Sequence, residues 1–185
     1  MKNDDQTAED PLAQYEKPLN FDQVWKMFQE TDRMFQETDK KLNKLESLFT
    51  SQWGKLVELL VEGDLIRMLN GKGIKVESTL QRIKGNRDGQ NFEFDIIAEN
   101  LKEIVIVEVK TTLRQRDVTE FLEKLRKSKR YLPKYKGMDI YGAMAFITAD
   151  GHSDRMAENM GLFVIRATGS SAAIVNKDGF KPIAF

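Results

Sequence analysis

From Phe21 onward, apolar residues recur every seven positions, at Phe28, Phe35, Leu42 and Phe49, and Val24 and Leu45 fall three after their predecessors. That is the a/d spacing of a helix that pairs along a seam. Thr31 and Thr38 take the alternate seam positions, and the run Met27 to Arg33 is repeated as Met34 to Lys40. We expect residues 21–50 to form a coiled-coil helix that self-associates. A single amphipathic helix folded back on its own domain is the competing account. Residues 1–20 are polar, contain Pro11 and Pro18, and are expected to form a disordered tail.

The pattern then changes. Leu56, Leu59, Leu60, Leu65, Ile66 and Leu69 predict a helix from Trp53 to Asn70, apolar on nearly every side and stopped by Gly71 and Gly73. Strands are predicted over Ile74–Leu80, Asn91–Ala98 and Glu103–Thr111. Asp117 and Glu120 form a capping-box pattern for a helix with Val118, Phe121, Leu122, Leu125 and Leu132 on one stripe, ended by Pro133. A strand over Asp139–Thr148 follows, and the intervening helix makes it parallel to its predecessor. Ser153 is expected to cap a short helix ending near Gly161, before strands over Leu162–Arg166 and Ala172–Asn176. Gly169-Ser-Ser171 reads as a plain turn, because no helix follows it to make a phosphate loop.

Three charges interrupt the apolar strands: Asp95, Glu108 and Lys110. Strand side chains alternate between faces. Pairing Ala98 with Glu103 around Asn100-Leu101 would set Phe92, Phe94 and Ile96 against Val105, Val107 and Val109. The same register would put Glu93, Asp95, Ile97, Ile104, Ile106, Glu108 and Lys110 on the opposite face. Asp95 would then lie opposite Ile106 and diagonal to Glu108, at a Cβ separation of about 7 Å. A carboxylate in a buried strand loses several kcal/mol of hydration unless it is paired or coordinates a metal. Glu-x-Lys alone is a weak signal, and a solvated ion pair would account for it. Glu58 and Glu62, four apart on the preceding helix, repel unless a cation is near. They read either as an exposed edge or as part of a site.

The succession of a helix with Glu62, a strand, a strand with Asp95, a strand with Glu108-Val109-Lys110, an amphipathic helix and another strand resembles the core of the PD-(D/E)XK nuclease superfamily. The chain looks most similar to a prokaryotic group whose members carry a heptad-patterned segment before that domain. Phe94 stands where the naming Pro would be. The resemblance implies an α/β, restriction-endonuclease-like fold (α-β-β-β-α-β, a central mixed sheet flanked by helices) over residues 51–185. It implies that Asp95, Glu108 and the Val109 carbonyl bind Mg²⁺ or Mn²⁺, that Lys110 orients or activates water, and that Glu62, or failing it Glu58, adds a ligand or base. Hydrolysis of a phosphodiester in DNA is the implied reaction.

Composition bears on that expectation without deciding it. All-oxygen donors favour Mg²⁺ or Mn²⁺, and with no Cys and only His152 an ordinary zinc site is excluded. His152 reads as a loop or helix-start residue. Lys and Arg number 29 and so do Asp and Glu, so the whole chain is no polycation. Arg114, Arg116, Lys124, Arg126, Lys127, Lys129, Arg130, Lys134 and Lys136 nevertheless crowd one stretch, which suits either a phosphate backbone or a solvated helix face. The acidic start and the absence of Cys lead us to expect no signal peptide and a cytoplasmic location. A different class of function remains in view, a coiled-coil assembly protein or nucleic-acid-binding scaffold on a nuclease-like fold.

Overall fold

A computed structural model describes residues 21–168 and 171–185. The expected tail and the Gly169-Ser170 part of the turn lie outside the described residues, as do the side chains of Phe21, Val24, Phe49, Trp53 and Leu56. The described residues fall into two compact units, 21–47 and 48–185. Helix α1 (Phe21–Gly71) contributes residues 21–47 to the first and 48–71 to the second.

Within the first unit, Met27, Phe28, Met34, Phe35, Leu42 and Leu45 are all exposed. Thr31 and Thr38 donate their hydroxyls to the carbonyls of Met27 and Met34, each at 2.8 Å. Those two polar groups are therefore satisfied inside the helix.

The second unit is a six-stranded sheet between helices. Its elements are β1 (Ser78–Arg87), β2 (Gln90–Glu99), β3 (Glu103–Leu113), α2 (Gln115–Arg126), α3 (Ser128–Tyr131), a 3₁₀ turn (Pro133–Tyr135), β4 (Asp139–Ala149), α4 (Ser153–Asn159), β5 (Phe163–Ala167) and β6 (Ala172–Ile174). The strands lie side by side in chain order, with β3, β4 and β5 parallel and the other neighbours antiparallel. The α-β-β-β-α-β order and mixed sheet are those of the expected restriction-endonuclease-like core, with β5 and β6 added at one edge. Among the described residues no helix is long and apolar enough to cross a membrane.

Two cores hold the layers. On one face Val57, Val61, Leu65 and Leu69, spaced by four along α1, pack on Ile96, Val105, Val107, Ala143 and Ile165. On the other, Val118, Phe121, Leu122 and Leu125 of α2 pack on Ile104, Ile106, Met144 and Val164. The α1 segment is thus one-sided rather than buried all round, and Leu59 is 58% exposed. Its i, i+4 stripe needs only the sheet as partner. Gly142 permits the close approach of α2, since a Cβ there would come within 2.4 Å of Leu125 and 2.7 Å of Leu162.

Several expected boundaries move. Ile74 and Val76 are buried against the α1-side core but lie before the ladder, which opens with Glu77 N–H donating to the Glu99 carbonyl at 2.9 Å. The first strand therefore begins at Ser78 and runs on to Arg87, where Asp88 (φ +52°) and Gly89 (φ +77°) make a hairpin turn to β2. Two consecutive left-handed residues are what a tight turn between twisted strands requires. Helix α2 starts at Gln115, so Asp117 sits in its first turn and accepts the Arg114 N–H at 2.8 Å. Ser153 begins α4 rather than capping it, and its hydroxyl donates to the Leu113 carbonyl at 2.8 Å.

Candidate functional site

The β2–β3 hairpin turns on Asn100, whose side-chain oxygen accepts the N–H groups of Lys102 and Glu103 at 2.7 and 2.9 Å. This Asx turn shortens the loop and pairs Ala98 with Val105, two residues from the register expected with Glu103. A shift of two preserves every face. Continued one step past its last pair, Ile96↔Val107, the register would set Asp95 opposite Glu108, where a diagonal relation was expected.

A second correction is local. Strict alternation would put Phe94 and Ile96 together, but Phe94 packs with Ile97 in the α2-side core while Ile96 faces α1. Leu80 and Ile83 of β1 show the same change of parity. The break falls at Arg82 and Asp95, because the ladder goes from Gln81↔Ile96 to Ile83↔Phe94 and Arg82 has φ +50°. On the other side of β2, pairing with β3 ends at Ile96↔Val107. β1 and β2 stay paired to the Asp88-Gly89 turn, and β3 and β4 stay paired to Leu113↔Ala149. The sheet therefore forks, and Asp95 stands in the fork.

Its carboxylate does what the missing ladder cannot. Asp95 Oδ2 accepts the Val109 N–H at 2.8 Å, so that donor is not stranded. Glu108 is held from two directions, with Lys110 Nζ 3.0 Å from one oxygen and Lys124 Nζ 2.6 Å from the other. The Glu108 side chain is only 13% exposed, and the Lys124 ammonium also stands 5.0 Å over the Phe94 ring. Asp95, Glu108, Val109, Lys110 and Lys124 thus meet in one place. In the sequence Lys124 stands out only as one of a basic run.

The helix carboxylates separate. Glu62 accepts the Thr79 hydroxyl at 2.9 Å, whereas Glu58 takes Nε and Nη2 of Arg82 at 3.0 and 2.9 Å. Arg82 is the β1 residue beside Asp95, and Glu58 is the α1 charge felt at Asp95. Of the two, Glu58 is the one paired with the β1 residue that lies between Gln81 and Ile83 at the break.

Electrostatics follow from this packing. Burial pushes the Asp95 pKa up to about 6, the Glu108 charge adds to the rise, the Val109 N–H and Lys124 oppose it, and Glu58 raises it further. For Lys110, burial disfavours the ammonium, but Glu108 and Asp95 outweigh it and its pKa is raised. Lys110 is consequently a cation that donates hydrogen bonds. A proton acceptor at neutral pH would need the opposite shift.

Among the described residues no three His, Cys, Asp or Glu side chains converge as a ready cage. The donor set that does converge is two carboxylates and the Val109 backbone. Hard oxygen donors of that kind suit a Mg²⁺ or Mn²⁺ that keeps several waters, and two facing carboxylates, one with its pKa forced up, are a pair that a shared cation would relieve. The residues present fit such an ion.

Beside the fork, Phe92 stacks on Tyr131 with ring centroids 5.0 Å apart. Together with Asn91, Glu93, Glu120, Glu123, Lys124 and Lys127 they line an open cleft between β2 and the α2–α3 segment. Within the basic stretch, Arg130 pairs with Asp88, Lys134 with Glu99 and Arg114 with Asp150. Arg116, Arg126, Lys127 and Lys136 are exposed and carry no ion pair among the described residues. His152, with φ +59°, precedes α4.

No family model matches the chain, and no curated protein matches it. Two solved structures are similar. One is a protein of unknown function, AF1548, at 15% identity and a TM-score of 0.40, with 54% of this chain and 53% of that one covered. The other is a repair endonuclease from Pyrococcus abyssi, at 17% identity and a TM-score of 0.40, with 58% of this chain and 46% of that one covered. The chain spans about half the length of each.

Proposed function

We propose that residues 48–185 are a metal-dependent nuclease of the PD-(D/E)XK type that hydrolyses phosphodiester bonds in DNA. The observation that carries this reading is the fork, where Asp95 is bound to the backbone of Val109 and feels the charge of a Glu108 that is paired with Lys110. Asp95, Glu108 and the Val109 carbonyl would hold Mg²⁺ or Mn²⁺. When bound, such an ion supplies charge neutralisation at the phosphoryl oxygens and acidifies water. Lys110, kept as an ammonium by its carboxylate neighbours, orients the attacking water and the phosphoryl oxygen. Glu58 holds Arg82 at the break in β1 and so fixes the strand position on which Asp95 depends. The unpaired Arg116, Arg126, Lys127 and Lys136 supply charge along which a phosphate backbone can lie.

We further propose that residues 21–50 join two or more copies of the chain. Seam positions Phe28, Phe35, Leu42 and Leu45 are exposed with Met27 and Met34 beside them, and the intrahelical bonds of Thr31 and Thr38 let those residues enter a dry seam without an unsatisfied hydroxyl. Two catalytic units on one cytoplasmic particle suit cutting both strands or holding a branched substrate. The scaffold alternative predicts the same assembly without turnover.

Three outcomes follow. Asp95→Ala, Glu108→Ala and Lys110→Ala each remove most Mn²⁺-dependent cleavage of labelled DNA, and the double variants lose little more, because the groups act as one unit. Cleavage unaffected by chelator, or intact in Glu108→Ala, would leave the scaffold reading in its place.

The raised Asp95 pKa has a sign that can be checked in chelator. Between about pH 4 and 6 the native state binds the extra proton, so stability falls as pH rises through that window. Asp95→Asn keeps an acceptor for Val109 without the charge. It is expected to be more stable than wild type at pH 8 by about 1 to 3 kcal/mol after allowance for solvent screening, with the difference gone near pH 4, in urea unfolding. Loss of stability at pH 8 would contradict the assigned electrostatics.

In sedimentation the full chain is expected to be oligomeric. Phe28→Asp with Phe35→Asp should give monomers, since each buried aromatic contributes about 1.5 to 3 kcal/mol to the seam. A monomeric wild type would return the folded-back helix.

A further inference from the structure

Glu108 carries two ammonium groups, and they arrive by different routes. Lys110 is its neighbour along the same strand face, whereas Lys124 reaches down from α2, between the buried Phe121 and Leu125, to contact the sheet. Its Nζ is 2.6 Å from Glu108, its side chain is 24% exposed, and the Phe94 ring lies beneath it. Phe94 adjoins Asp95, whose carboxylate feels the same ammonium. Both Glu108 oxygens are engaged in this arrangement. Facing carboxylates in a half-buried fork repel, and a positive charge fixed between helix and sheet offsets that repulsion. A divalent ion entering between Asp95 and Glu108 would meet the Lys124 charge a few ångströms away, so the two compete for one carboxylate pair.

We propose that Lys124 is a built-in counter-cation, a positioning residue that holds Glu108 and Asp95 together in the metal-free protein and yields Glu108 when a divalent cation enters. The inference rests on the reading of Asp95 and Glu108 as the metal pair. A lysine present only for packing would weaken the site when removed. A competing one strengthens it.

The test is calorimetric titration of Mn²⁺ into the full chain at pH 8, with thermal unfolding in chelator alongside. Lys124→Gln retains a hydrogen-bond donor without the charge. It is expected to bind Mn²⁺ roughly tenfold to a hundredfold more tightly than wild type, yet to unfold at a lower temperature when metal-free. Lys124→Arg keeps the charge and should match wild type in affinity. If Lys124→Gln does not fold, Lys124→Met, whose chain can still cover Phe94, reads the same affinity change. Wild type binding Mn²⁺ with Lys124→Gln unchanged or weaker would overturn this inference and leave the nuclease reading standing. Absence of Mn²⁺ binding by wild type and variants alike would overturn the metal site itself, and the counter-cation with it.

Discussion

The hydrogen bond from Val109 N–H to Asp95 is the contact on which the site depends. Where β2 and β3 part, Val109 would face an open gap with an unsatisfied backbone donor, and an unmade buried hydrogen bond of that kind costs about 1 to 3 kcal/mol. Asp95 fills the gap at 2.8 Å. Its presence permits the fork and also plants a carboxylate against Glu108. Burial and that neighbour then lift its pKa to about 6, so the sheet carries an electrostatic cost that ordinary strand residues would not impose. Costs of this kind persist where the surrounding structure over-determines them, and they cluster at functional sites.

The rest of the second unit supplies that over-determination. α1 grips one face through Val57, Val61, Leu65 and Leu69, and α2 grips the other, brought close by Gly142. Between them the Glu58–Arg82 pair pins β1 at its left-handed residue, and Lys124 ties α2 to Glu108. Each tether reaches the fork from a different element. Apart from Lys110, two residues from Glu108 on the same strand, each charged partner lies on a different element from the carboxylate it serves. The charge balance of the whole chain therefore says little about the site, whose potential is set by a handful of groups held within a few ångströms.

How far this was legible in the sequence depends on whether the signal was periodic or geometric. The heptads, the strands carrying Asp95 and Glu108 and the stripe of α2 are periodic, and the order of elements follows from them. The Asp88-Gly89 turn was also visible, and reading it would have extended β1 to Arg87. The register was not, because either loop length gives the same faces and only the Asn100 side chain selects the shorter one. The change of parity at Asp95 has no sequence signature at all, since strict alternation is the premise of the reading that it breaks. Lys124 escaped notice because its partner lies 16 residues away on another element. Glu58 and Glu62 were indistinguishable until the orientation of α1 against β1 was known.

The proposed function turns on a divalent cation held in the fork between β2 and β3. Crystals of the full chain grown with Mn²⁺ and measured for anomalous scattering test it most directly. A peak is expected at bonding distance, about 2.0 to 2.3 Å for a hard cation on oxygen, from both Asp95 and Glu108. A peak confined to other carboxylates, or none in the fork with the ion in excess, would contradict it.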